Sequence, residues 1–263
     1  MAPIQRFLAC LALLLASPAF AWQEQPQVAA LFQAAGVRGT FVLLDVQDGS
    51  VRGYNQARAQ TRFIPASTFK LANSLIGLDA GVVKDVEQVL PYGGQPQPIK
   101  AWERDMGLRE AIKISNVPIY QELARRIGLP RMRAQVRRLD YGNGEVGTQV
   151  DTFWLVGPLQ ISALEQTRFL ARLAQGQLPL SAAAQAQVRD IARLEQGGDW
   201  VLYGKTGVAG SYEPALGWWV GWVEQAGKLY CFALNIDLPH TDAASLGRRI
   251  ELGKASLRAL GLL

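Results

Sequence analysis

The stretch Pro65-Ala66-Ser67-Thr68-Phe69-Lys70 holds the first residues whose types and spacing suit chemistry. A serine and a lysine three apart, at the opening of an amphipathic helix, put hydroxyl and amine on one helix face. Free N–H groups and the positive end of the helix dipole favour negative charge there, which activates a nucleophile and helps hold an oxyanion. Such a serine needs a base. The chain has one histidine, His240, which follows Pro239 in an expected exposed loop, so a Ser-His-Asp triad would have to recruit that single residue. The usual catalytic zinc sites draw on two or three His, or on Cys, and no metal site is expected. Lysine is the known substitute base for a serine nucleophile.

A second group stands at Lys205-Thr206-Gly207, directly after the apolar run Trp200 to Tyr203. A strand end of this kind presents a cation, a hydroxyl and a closely approaching backbone to a carboxylate, and glycine removes the Cβ that would block the approach. Between the two groups lie Ser115-Asn116-Val117, Tyr141-Gly142-Asn143 and Phe153-Trp154-Leu155-Val156-Gly157, and behind Lys205 comes Gly217-Trp218-Trp219-Val220-Gly221-Trp222.

The elements that must position these residues follow from the hydrophobic patterning. Trp22 to Gly36 reads as a short helix. Thr40 to Val46 is a β-favouring run that ends at Asp48-Gly49, with Val51 to Tyr54 returning as a hairpin. Helical spacing follows from Ser67 onward, at Leu108 to Ile114, Ile119 to Ile127 and Ser162 to Gln175. Strands resume at Trp200 to Tyr203, Trp218 to Glu224 and Leu229 to Asp237, before a closing helix over Leu246 to Leu260. Strands, then helices, then strands imply an α+β fold: a largely antiparallel sheet flanked by helices, with a helical lobe inserted between its halves. The sheet half takes about residues 22–66 and 190–263, the lobe about 67–189, and the two form one catalytic domain over 22–263.

Residues 1–21 read as an export leader, with Arg6, the apolar run Phe7 to Ala16 and the small-x-small site Ala19-Phe20-Ala21. The run is too short to span a bilayer, which needs about twenty residues. Cleavage after Ala21 sends the protein to the periplasm without a membrane span, and leaves Cys231 as its only cysteine, so no intramolecular disulfide can form. The remaining chain has 26 basic and 22 acidic residues, a net of +4 with no block of like charge, which gives nucleic-acid binding no support. A monomer or weak dimer is expected.

In their common order, Ser-x-x-Lys before and Lys-Thr-Gly after a helical block resemble the outer marks of penicillin-recognising serine enzymes. The Ser-x-Val form at Ser115, the Tyr-Gly-Asn at Tyr141 and the Trp-containing segments make the chain similar to the class D, oxacillinase-type β-lactamases over nearly all of residues 22–263. Penicillin-binding DD-peptidases and non-hydrolysing β-lactam sensor domains share part of the pattern and remain the alternatives. The resemblance implies a β-lactam ring opened by Ser67, with Lys70 taking the proton and the N–H groups of Ser67 and Val208 holding the oxyanion. It implies that Ser115 relays a proton to the leaving nitrogen, while Lys205, Thr206, Gly207 and an arginine on the last helix bind the substrate carboxylate. Counting back from Leu260-Gly261-Leu262-Leu263 favours Arg249, with Arg248 adjacent as the alternative. It implies, finally, that Lys70 reacts reversibly with carbon dioxide, that Trp154 hydrogen-bonds the carbamate, and that Val117 gives apolar cover; no other cofactor is implied. The small stretch Val208-Ala209-Gly210-Ser211 departs from the usual family pattern.

Overall fold

The computed structural model describes residues 22–263; the expected leader and Cys10 lie outside them. Trp22–Glu24 is a strand, β1, and only Pro26–Ala35 forms the helix α1. Pro26 suits the first helical turn, where its missing N–H costs nothing, and Gly36 closes the helix in the left-handed region at φ 60°. β2 (Gly39–Asp45) and β3 (Val51–Tyr54) form the expected hairpin, followed by the short α2 (Gln56–Gln60). The helical section comprises α3 (Lys70–Asp79), α4 (Leu108–Lys113), α5 (Val117–Ile127), α6 (Leu129–Arg138), α7 (Ala163–Ala174) and α8 (Ala182–Ile191). Then come β4 (Arg193–Gln196), β5 (Trp200–Ala209), β6 (Ala215–Gln225), β7 (Lys228–Leu238) and α9 (Ala243–Ala259).

The strands form one sheet in the order β1-β3-β2-β7-β6-β5-β4, antiparallel throughout except for the β1–β3 pair. The expected α+β architecture is present, with strands from both ends of the chain meeting at β2 and β7. Helices cover both faces. Along β6, Trp218, Val220 and Trp222 enter the core beneath the helical section, while Trp219 and Val223 enter a second core beneath α1 and α9. A strand buried on both faces reads as a near-continuous apolar run, which is the sequence of β6. Gly221 is required by the close approach of β5: a Cβ there would lie 1.9 Å from the Tyr203 carbonyl oxygen.

One part of the helical section does not stay in a separate lobe. α7 lies against β2, β6 and β7, and buries eight of its twelve residues. A helix buried on so much of its circumference belongs between layers rather than on a surface. At the other end of the sheet, β4 pairs with β5 only as far as Tyr203, so Lys205 to Ala209 has no strand on that side. Among the described residues no helix is long and apolar enough to cross a membrane, and Cys231 is a buried free thiol.

Candidate active site

The segment around Ser67 does not begin as an α-helix. Ala66–Phe69 is a turn of 3₁₀-helix that runs into α3 at Lys70. With three residues per turn, positions i and i+3 eclipse, so the tighter turn aligns Ser67 with Lys70 better than an α-helix would. Lys70 Nζ lies 2.7 Å from Ser67 Oγ. Ala66, just before the nucleophile, has φ 48°, a conformation a non-glycine residue keeps only when its surroundings impose it. Those surroundings are visible. Thr68 Oγ1 donates to the Pro65 carbonyl at 2.7 Å and accepts from Gln166 Nε2 of α7 at 2.8 Å. Neither Thr68 nor Gln166 has a sequence signal, since the partners are far apart in the chain.

Ser67 is half-buried and open to solvent, whereas Lys70 is wholly buried. Burial, and then the nearby Lys205 charge, hold the Lys70 amine well below the ordinary lysine range. Its Nζ is 5.3 Å from the centre of the Tyr120 ring, a contact that favours an ammonium. One ring face contributes about 0.5–2 kcal/mol, less than the several kcal/mol of desolvating a charge, so the net shift stays toward the neutral amine.

Ser115 also adopts a left-handed conformation, φ 56°, two residues before α5 begins. The residue between Ser115 and Val117 is structural: Asn116 is buried and caps α5 by accepting from the Ile119 N–H at 3.1 Å. Val117 is half-buried at the first position of the helix. Lys205-Thr206-Gly207 lies inside β5 and not after it, because the strand expected over Trp200 to Tyr203 runs on to Ala209. Lys205 Nζ donates to Ser115 Oγ at 3.0 Å and to the Thr206 carbonyl at 2.9 Å. Burial, and then the Arg249 charge, lower its pKa to about 7. Gly207 brings β5 against the nucleophile turn, because a Cβ there would lie 3.0 Å from the Pro65 carbonyl oxygen and 3.3 Å from the Ser67 nitrogen. Val208, next along the strand, is half-buried opposite Gly217.

The two arginines of α9 point differently. Arg248 is exposed and donates to the Ala35 carbonyl of α1 at 2.9 Å. Arg249 is buried, with its Cδ 3.4 Å from the place a Gly217 Cβ would occupy, and its Nε and Nη1 have no hydrogen-bond partner among the described residues. Burial lowers its pKa to about 10. A buried guanidinium with unpaired donors is costly unless an anion completes it.

Trp154 is fully buried against Phe69 and Phe153, with ring centres 5.6 and 5.0 Å away, and its Nε1 has no partner among the described residues. Tyr141-Gly142-Asn143 stands apart from the reacting groups and clamps the segment that carries Trp154. Asn143 donates through Nδ2 to the Pro158 carbonyl at 2.9 Å and accepts the Gln160 N–H at 3.0 Å. Tyr141 packs edge-on to Phe69 and Phe169. Gly142 has φ 57°, and a Cβ on it would lie 2.0 Å from the Gln160 carbonyl oxygen. Gly142→Ala should therefore destabilise the fold by about 2–4 kcal/mol. That corresponds to a Tm lowered by roughly 5 to 15 °C for a domain of this size, measurable by calorimetry; an unchanged Tm contradicts the clamp. His240 is exposed between β7 and α9 and takes no part in the site.

The geometry thus joins Ser67 and Lys70 in one pair, Ser115, Lys205 and Thr206 in a second group with Arg249 charged beside it, and Gly207 between the two. A solvent-facing hydroxyl, a buried amine of lowered pKa and a buried arginine with unpaired donors suit acyl transfer on a substrate that carries a carboxylate. The profile of the penicillin binding protein transpeptidase domain family matches residues 39–257. Beta-lactamase OXA-48 of Klebsiella pneumoniae is 43% identical over 229 residues, covering 87% of this chain and 86% of that protein. Beta-lactamase OXA-5 of Pseudomonas aeruginosa is 41% identical, covering 83% and 80%. The crystal structure of FUS-1 (OXA-85), a class D β-lactamase from Fusobacterium nucleatum subsp. polymorphum, superposes with TM-score 0.88 at 41% identity, over 92% of this chain and all of that one. The chain belongs to the penicillin-binding transpeptidase family and, within it, to the class D serine β-lactamases, which are hydrolases.

Proposed function

We propose that this protein hydrolyses penicillin-type β-lactams in the periplasm, and so confers resistance, through an acyl-enzyme on Ser67 with an N-carboxylated Lys70 as general base. The observation that carries the reading is the 2.7 Å contact between Ser67 Oγ and a wholly buried lysine amine whose pKa burial holds well below the ordinary lysine range. A neutral amine can take the serine proton as the hydroxyl adds to the lactam carbonyl. The N–H groups of Ser67 and Val208 hold the oxyanion. Ser115, bonded to Lys205, gives its hydroxyl proton to the departing ring nitrogen and is reprotonated by the proton that Lys70 took from Ser67, so that the C–N bond breaks with its electron pair neutralised and Ser115 ends unchanged. Lys205, Thr206 and Arg249 hold the substrate carboxylate, which supplies the anion that the Arg249 donors lack.

Carbon dioxide bound to Lys70 would supply an anionic base suited to activating water as well as serine. The residues fit such a group: the Trp154 Nε1 is a buried donor without a partner among the described residues, and Val117 would give apolar cover. ¹³C-labelled bicarbonate should give a carbamate resonance that Trp154→Phe weakens. That variant should show a burst of acylation and then turnover slowed by about 10²–10³-fold, the usual effect of removing one preorganised donor, with added bicarbonate restoring part of the rate. Absence of the resonance in active enzyme that is also indifferent to degassing overturns the carbamate. A single burst without turnover in the wild type would instead make this a penicillin-binding acyl-transferase.

The pH dependence follows from the two lysines. Carboxylate binding favours the Lys205 ammonium, so KM should be lowest below pH 7 and rise several-fold toward pH 9 as a group with pKa about 7 loses its proton. Lys70 has the opposite requirement, and kcat should fall in acid as its amine is protonated. Lys205→Ala and Arg249→Ala should each raise KM more than they lower kcat, whereas Arg248→Ala should be near neutral. Steady-state kinetics that reverse the two arginines would transfer the carboxylate to Arg248.

A further inference from the structure

A cavity of about 500 Å³ opens away from the catalytic groups, between the β2–β3 hairpin and α7. None of the catalytic or carboxylate-binding residues lines it; of the clamp it touches Gly142 and Phe169, the ring against which Tyr141 packs. Its apolar wall is Leu44, Val46, Val51, Leu164, Phe169 and Ala171. The volume is that of a small-molecule site, which usually pairs an apolar lining with a few convergent polar groups. The wall is preformed, since Phe169 is held edge-on by Tyr141 at 4.9 Å between ring centres.

The polar groups are mostly cationic. Arg62, Arg168 and Arg172 line the cavity together with Asp140 and Glu165. Arg62 and Glu165 neutralise one another, the Arg62 Nε lying 3.0 and 3.1 Å from the two carboxylate oxygens. Asp140 is exposed, and its field acts on Arg62. Arg168 and Arg172 remain, one helical turn apart on α7, where like charges repel. Arg172 donates to the Leu139 carbonyl, and Arg168 has neither an ion pair nor a side-chain hydrogen bond among the described residues. Two adjacent guanidinium groups over an apolar cleft match a carboxylate on a hydrocarbon body, because the planar donors of arginine grip a carboxylate bidentately.

We propose that this cavity is a second ligand site, separate from the catalytic one, for a small amphipathic monocarboxylate whose carboxylate is held by Arg168 and Arg172 and whose apolar body lies against Phe169 and Leu164. Isothermal titration of the whole protein with decanoate tests it. One molecule should bind per chain, and decyltrimethylammonium, of the same length and opposite charge, at least tenfold more weakly. Arg168→Glu should weaken decanoate at least tenfold while leaving nitrocefin hydrolysis at the wild-type rate. Leu164→Trp should abolish binding by filling the cavity, and the exposed position of Arg168 keeps the test decisive even if that variant fails to fold. Lys205→Ala should leave decanoate binding intact. The proposal is overturned if decanoate shows no saturable binding at submillimolar concentration, if binding survives Arg168→Glu, or if Lys205→Ala removes it, which would place the ligand in the catalytic cleft. Binding is read directly, so the outcome does not depend on whether β-lactams are hydrolysed through a carbamate.

Discussion

Ser67→Ala should reduce β-lactam turnover by about 10⁴-fold or more, the scale on which removal of a nucleophile acts, while substrate still binds. The hydroxyl is half-exposed and packs little, so its loss removes chemistry and hardly any core. What it does leave is the buried Lys70 amine without its 2.7 Å partner, a cost of about 1–3 kcal/mol that should appear as a Tm lower by a few degrees. Equilibrium binding of benzylpenicillin should persist, because Lys205, Thr206 and Arg249 are untouched, and intact-mass spectrometry should find no acyl adduct. An adduct on the variant, or a tenth of wild-type turnover in pure protein, would assign the nucleophile elsewhere.

Lys70→Met should move activity and stability in opposite directions. Loss of a general base costs about 10²–10⁴-fold in rate, and methionine offers neither a proton acceptor nor an amine for carbon dioxide. Stability should rise. The folded protein holds the Lys70 amine well below the ordinary lysine value, chiefly by burial, whereas the unfolded chain restores that value. Between the two pKa values the unfolded state carries a proton that the folded state does not, so unfolding takes up a proton and raising the pH disfavours it. Wild-type stability should therefore climb with pH through that window and fall as pH drops. The methionine variant removes this slope, so its Tm should exceed that of the wild type by most at low pH and converge on it above pH 10. A variant less stable than wild type at neutral pH would mean that the lysine is charged in the fold.

Much of the site was legible because its contacts are local or lie on a regular strand. Ser67 and Lys70 are three residues apart, and Lys205, Thr206 and Gly207 are consecutive in β5, so type and spacing sufficed to group them. The sheet and its order of appearance followed from β-branched and aromatic runs. What escaped was decided by partners distant in the chain. β1 is three residues with no alternation and exists because β3 offers it an edge; β4 is exposed along its length and pairs only with β5. α6 carries four arginines and only two buried residues, which hides its apolar stripe. The left-handed backbones of Ala66 and Ser115 carry no glycine to announce them. Arg248 and Arg249 differ only in which way one helix turns, and the packing of α9 on the sheet, not composition, separates them.

The early end of β4 has a consequence for the protein in solution. From Lys205 to Ala209 the rim of the sheet has no neighbouring strand, and such a rim is a template on which a second chain can add its own strand. It is guarded by the turn from Pro65 to Phe69, packed so closely that a methyl group on Gly207 would press on the Pro65 carbonyl oxygen at 3.0 Å. Substitutions that loosen this turn should thus reveal themselves first as self-association and loss of solubility at high concentration, before any loss of helix or sheet content. Catalytic readiness and colloidal behaviour rest on the same few residues.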